Sequence, residues 1–229
     1  MLLCLIIAYS HKKDLKIVFS TEIDIFMKDK NKIIEQINDG NNLIKLDVGC
    51  GEKKKSNEYI GIDLIDSDKV DLAGNYYDVF QQINSEAVDE IFSSHFLEHI
   101  ENIGEFLYES ARILKRDGKL IISVPHFSNP YFYSDPTHLR YFGLYTFSYF
   151  ADCNFLKRKV PQYKNKIKYK IHRIDLSFSS TRPFYFRHAI KKIWGLIFNS
   201  SYYMQEFWEE NLCYLIPAYE ITFELKKID

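Results

Sequence analysis

The sequence predicts a doubly wound α/β fold, a mostly parallel sheet with an aromatic helical insertion. Three observations carry that expectation. Short apolar runs alternate with helix-period segments up to Val124, a buried strand runs straight into Gly49 and Gly51, and the next strand ends on the acid Asp63. With 229 residues the chain suits one such domain spanning 1–229 rather than two independent cores. Hydrophobic residues at 46% and charged residues at 27% fit an ordinary folded domain, so no disordered or fibrous class need be considered.

The elements follow in chain order. The apolar start, Met1 to Tyr9, is about half the length of a membrane span and lacks the basic flank and cleavage site of a secretory signal. It is expected to pack on the domain as a strand or short helix, with Met27 as an alternative start, so that 1–40 forms an N-terminal extension and helix. Lys28 to Ile37 has helical periodicity closed by Asn38, Asp39 and Gly40. Strands are predicted at Leu43 to Val48, Tyr59 to Asp63, Val70 to Leu72, Val88 to Ser93 and Lys119 to Val124. A helix over Ile103 to Leu114 is read as ending in the basic turn Lys115-Arg116-Asp117-Gly118. Past Pro125 the pattern gives a helix at Tyr145 to Ala151, a strand at Tyr169 to Phe178 and a final strand at Tyr219 to Lys226. Two helical patterns, Tyr185 to Phe198 and Tyr203 to Leu212, form an aromatic insertion over about 182–212 that is expected to cover a binding pocket.

Composition excludes some functions. A net charge of -1 gives no basic field for nucleic acid. Cys4, Cys50, Cys153 and Cys213 have neither metal-ligand nor redox spacing, which favours reduced thiols and a cytoplasmic location. Aromatic residues reach 16% and concentrate after residue 125, as walls of a site or as bulky core.

The strongest local signal is Leu46-Asp47-Val48-Gly49-Cys50-Gly51. Glycine at such a turn lets a ligand approach the backbone closely. Asp63 then stands where its carboxylate can accept two ribose hydroxyls, the nucleoside arrangement of doubly wound sheets. A dinucleotide fits less well. The third glycine of its fingerprint is missing, with Lys53 or a neighbour in that place, and the distance to Asp63 falls short of the usual ~20 residues. Little room remains for a helix whose N-terminus would meet a pyrophosphate.

Four segments together resemble the class I S-adenosylmethionine (SAM)-dependent methyltransferases, over Leu46 to Val124, and the resemblance implies a Rossmann-like sheet with an antiparallel last strand. Leu46 to Gly51 resembles the family's first motif. Gly74-Asn75-Tyr76-Tyr77-Asp78-Val79-Phe80 resembles the adenine-contacting segment, with Asn75 where aspartate is usual. Val88 to His99 resembles the fourth strand and its loop, and Ala111 to Leu120 the helix, turn and fifth strand. The resemblance implies SAM as cofactor, held over 43–126 by Asp47, Gly49, Gly51, Asp63 and Asn75 with Ser94 and His95 nearby. Residues 127–229 then become the acceptor-side half. Asp135-Pro136-Thr137-His138-Leu139-Arg140-Tyr141-Phe142 is similar to a subgroup associated with polysaccharide and cell-envelope synthesis, which implies a small polar, sugar-containing acceptor methylated on oxygen.

Methyl transfer needs alignment above all, and a hydroxyl acceptor needs a proton acceptor too. His95, His99, His126 and His138 fall in the loops after the fourth and fifth strands. His126 or His138 is read as the base, with Asp135 orienting His138, against the plainer reading that they cap turns. His95 and His99 share a helical spacing, but Glu98 is misplaced for H-E-x-x-H, so no metal is expected. Basic residues at Lys157, Arg158, Lys159, Lys164, Lys166, Lys168, Lys170, His172 and Arg173 suit either an anionic acceptor or a solvated edge strand. Arg187, Lys191 and Lys192 lie on one helix face opposite Ile190, Ile193, Trp194 and Ile197, suited to a cover over the site or to peripheral membrane contact. Two other readings stay open: a non-catalytic module keeping the fold, and a nicotinamide dehydrogenase, which the short spacing to Asp63 disfavours.

Overall fold

The computed structural model describes residues 27–40, 42–161 and 169–228; the apolar start and Lys164, Lys166 and Lys168 lie outside them. The strands are β1 (Lys28–Asp29), β2 (Lys45–Val48), β3 (Ile60–Asp63), β4 (Leu72–Ala73), β5 (Val88–Ser94), β6 (Leu114–Pro125), β7 (Tyr169–Ser177) and β8 (Glu220–Lys227). The helices are α1 (Ile33–Asn38), α2 (Tyr76–Gln82), α3 (Ile103–Ile113), α4 (Tyr185–Phe198) and α5 (Tyr202–Asn211). One eight-stranded sheet has the order β1-β4-β3-β2-β5-β6-β8-β7. The inner pairs are parallel, whereas β8 runs against both β6 and β7. This is the mixed α/β, Rossmann-like sheet that the alternation of patterns predicts, with the antiparallel last strand that the resemblance implies.

The parallel strands are near-continuous apolar runs because both faces are covered. Leu46, Val48, Val88, Ile91, Leu120, Ile122 and Val124 are buried, joined by Ile221, Phe223 and Leu225 of β8. Each such side chain contributes about 1.5–3 kcal/mol on leaving water.

Three expectations change. The helix read from Lys28 begins only at Ile33, because Asn31 and Lys32 take left-handed conformations with φ of 71° and 55°. Asp29 instead pairs with Leu72 on the sheet edge and accepts the N–H groups of Ile33 and Ile34 at 2.6 and 3.0 Å, capping the shortened helix. The basic run after α3 is the start of β6 rather than a helix end, and its positive φ (63°) sits at Asp117. Gly118 is there for space, since a Cβ would stand 2.8 Å from the carbonyl oxygen of Lys115. At Tyr145 to Ala151 only a short 3-10 turn, Thr146–Tyr149, forms.

α4 also turns the opposite way from its sequence reading. Lys191 is buried, its Nζ donating to the carbonyls of Ser179 and Pro217 at 3.1 and 2.8 Å, and burial lowers its pKa to about 8. Ile190, Ile193 and Ile197 face outward, with Phe186 and Leu196. Trp194 stacks on Phe198 with centroids 5.6 Å apart, anchoring the helix against Phe178 and Trp208. No helix among the described residues is long and apolar enough to cross a membrane.

Candidate active site

Strand order reverses between β2 and β5, and in open α/β sheets ligands bind outside the carboxyl ends at such a point. Two loops meet there. The segment after β2 turns at Gly49 (φ 75°) and Gly51 (φ 54°). A Cβ on Gly49 would stand 2.6 Å from Cβ of Phe96, which follows β5, so glycine there lets the loops touch. A Cβ on Gly51 would meet nothing within 4 Å: this turn faces open space.

Asp63 closes the other side. Its Oδ2 accepts the Gly51 N–H at 2.8 Å and its Oδ1 the Ile65 N–H at 3.0 Å, so the acid and the glycine turn form one unit. Each carboxylate oxygen retains a second lone pair for a ribose hydroxyl. Asp47 is buried, accepts the Lys55 N–H at 2.7 Å, and is raised in pKa by burial. It therefore ties the loop that replaces a crossover helix between β2 and β3. Asn75 begins α2 as its N-cap, Oδ1 accepting the Tyr77 N–H at 2.9 Å. Ser94 ends β5 opposite Ser123.

His95 takes a left-handed conformation (φ 53°), which sends its ring between two carboxylates. Nε2 lies 2.8 Å from Glu220 and Nδ1 3.3 Å from Glu98. Glu220 and then Glu98 hold it protonated, with pKa raised to about 9.

The acceptor side is built from the loop after β6 and from α5. His126 is fully buried. Its Nδ1 accepts the Ser128 N–H at 3.1 Å, which leaves the proton on Nε2 for Glu209 Oε2 at 3.0 Å. Both ring nitrogens are thus engaged within the protein, Nδ1 by Ser128 and Nε2 by Glu209, which favours a positioning role for His126 over the expected one of general base. It positions Glu209, which also accepts the Leu144 N–H at 2.7 Å. Glu209 borders an open groove of about 220 Å³ lined by Phe127, Tyr141, Tyr145 and Tyr149. The insertion reaches the groove through this one residue of α5, whereas α4 stands apart with its apolar side exposed.

His138 lies in the other cluster. Its Nδ1 donates to the Phe132 carbonyl at 2.9 Å, its Nε2 is 3.7 Å from Asp135 Oδ2, and its ring packs against His99 with centroids 4.9 Å apart. At that distance the Asp135 contact is not a hydrogen bond. Thr137 Oγ1 donates to Asp135 Oδ1 at 2.6 Å and so accepts from His99 Nδ1 at 3.0 Å. Glu98, His99 and His138 each place one donor atom within 4.8 Å of the others. Sequence spacing missed this grouping because His138 arrives from a different loop, tied down by the Leu139 N–H on the Glu98 carbonyl at 2.7 Å. Glu209 and Glu220 carried no local sequence signal at all.

Comparison with known proteins places a name on the central segment. The methyltransferase-domain family profile matches residues 46–122. No curated protein sequence matches the chain. Among solved structures, a SAM-dependent methyltransferase from Archaeoglobus fulgidus is 15% identical, with 85% of this chain and 93% of that chain covered and a TM-score of 0.49. One from Mesorhizobium loti is 11% identical, with coverages of 81% and 91% and a TM-score of 0.43. Phosphoethanolamine N-methyltransferase 2 from Haemonchus contortus, in complex with S-adenosyl-L-methionine, is 14% identical, with coverages of 81% and 48% and a TM-score of 0.45.

Proposed function

We propose, from the premise that residues 46–122 are a class I SAM-dependent methyltransferase domain, that the protein moves a methyl group from SAM to a hydroxyl of a small polar acceptor. A sugar-containing intermediate is the acceptor class we favour. One observation carries the reading: the positive-φ turn at Gly51 opens onto free space beside Asp63, at the point where strand order reverses. That pairing fits a nucleoside whose linker carries no phosphate, and no helix N-terminus follows the turn to hold a pyrophosphate.

When bound, SAM supplies a methyl group on a sulfonium, ready for in-line displacement. The chain's part is to bind, align and exclude water. Gly49 and Gly51 admit the methionine portion, Asp63 takes the ribose, and Asn75 stands beside the base. Ser94 and His95 border the path from cofactor to acceptor, while Asp47 keeps the loop in shape. The groove beside Glu209 takes the acceptor, its aromatic rings offering apolar faces with polar edges. Asp135 and His138 stand on the same carboxyl side, where a hydroxyl proton has to leave.

The test is direct. Purified chain with SAM is incubated with sugar nucleotides and other hydroxylated acceptors, and S-adenosylhomocysteine formation is followed. Acceptor-dependent product that disappears in Asp63→Ala supports the reading. A chain that binds SAM yet turns over no hydroxyl, amine or thiol acceptor leaves a binding module in its place.

A further inference from the structure

We infer that Glu98, His99 and His138 form a binding site for a divalent transition-metal ion beside the acceptor. Glu98 is the starting point. Its side chain is wholly removed from solvent, and neither carboxylate oxygen has a hydrogen-bond partner. A buried carboxylate without donors is strongly disfavoured unless a cation compensates it. Protonated His95 approaches Oε1 at 3.3 Å but is shared with Glu220 at 2.8 Å, and Oε2 has no partner at all, so the carboxylate has room for a second cation.

Two imidazoles complete the set, and their hydrogen bonds decide which nitrogen each can offer. His138 spends Nδ1–H on the Phe132 carbonyl. His99 spends Nδ1–H on Thr137 Oγ1, because that hydroxyl's own proton goes to Asp135. Each ring is left with an Nε2 lone pair. An outer acceptor that fixes the tautomer is the usual setting of a metal-binding histidine. Two imidazoles and one carboxylate, with donor atoms within 4.8 Å of one another, match the chemistry that zinc, iron or manganese accept while leaving positions open.

The site rests on the methyltransferase reading for its role. An acceptor hydroxyl on the ion becomes more acidic. Its proton passes to Asp135 or to water, the oxygen forms a bond to the methyl carbon, and the carbon–sulfur bond breaks with its electron pair going to sulfur. His138 is then a ligand, and Asp135 is the nearby base.

The experiment uses tag-free full-length chain stripped with chelator. Co²⁺ is titrated by visible absorption and Zn²⁺ by calorimetry, with SAM titrated separately into the same preparation. The expected result is one ion per chain, with Glu98→Gln and His138→Ala each weakening it by more than about 100-fold, beyond the 10–100-fold that Thr137→Val costs as an outer partner. His172→Ala, on the exposed side of β7, leaves it unchanged. No saturable ion, or equal binding by Glu98→Gln, overturns the site. SAM binding without an ion leaves the proposed function standing and removes this inference; an ion without SAM does the reverse.

Discussion

Replacing Gly51 by Ala separates the fold from the ligand. Its φ of 54° costs an L side chain about 1–2 kcal/mol, and the added methyl meets no protein atom within 4 Å. At about 2–4 °C per kcal/mol for a chain of this size, the melting temperature falls by about 2–8 °C. Gly49→Ala bears the same backbone strain plus an overlap with Phe96 at 2.6 Å. Overpacking of that kind adds about 1–3 kcal/mol, so its melting temperature falls by about 4–20 °C. Affinity for SAM behaves differently. If the space over Gly51 is where the methionine portion lies, the methyl intrudes on it by a similar about 1–3 kcal/mol, or about 5- to 150-fold in Kd. Thermal melts and calorimetry on both variants read the two effects apart. A folded Gly51→Ala chain that binds SAM as tightly as wild type refutes the placement of the ligand over this turn.

Three further outcomes follow from named contacts. Asp63→Ala removes a carboxylate that accepts two loop N–H groups and is assigned the ribose, so SAM affinity falls by about 10-fold or more by calorimetry; an unchanged Kd removes Asp63 from the site. His126→Ala leaves Glu209 short of a donor and destabilises by about 1–3 kcal/mol in urea unfolding, yet the pH profile of turnover keeps its shape. Loss of a limb in that profile restores His126 as the base. Lys191, whose pKa is lowered from 10.5 to about 8 by burial and then by Arg187, is charged at a cost in the native state below pH 8. The unfolded chain binds the extra proton between pH 8 and 10.5, so wild-type stability rises by up to about 3 kcal/mol across that window. In Lys191→Met the rise is smaller by that amount, and parallel curves for the two proteins contradict the burial argument.

The fold was legible where periodicity and punctuation agree. Leu46 to Gly51 and Val88 to Ser94 announce buried parallel strands, and the alternating pattern from Tyr219 to Lys226 announces β8. Legibility failed where tertiary contacts override local preference. Lys28 and Asp29 look helical but find an edge partner in β4, and α4 turns its isoleucines outward because Lys191 is held by the Ser179 and Pro217 carbonyls. The glycine turn after β2 and the acid that ends β3 were readable as fold features because their signals are local. Asp47 also accepts the Lys55 N–H and Asn75 also caps α2, roles within the fold that no local pattern announced. The Glu98, His99 and His138 cluster was hidden because its members come from two loops that only tertiary contacts join, the Leu139 N–H on the Glu98 carbonyl and Thr137 on His99 among them.

Calorimetric titration of the purified chain with SAM and, separately, with NAD tests the central claim most directly. The account predicts micromolar binding of SAM and none of NAD, because the glycine turn opens beside Asp63 without a pyrophosphate-holding helix. Binding of NAD, or of neither ligand, contradicts it.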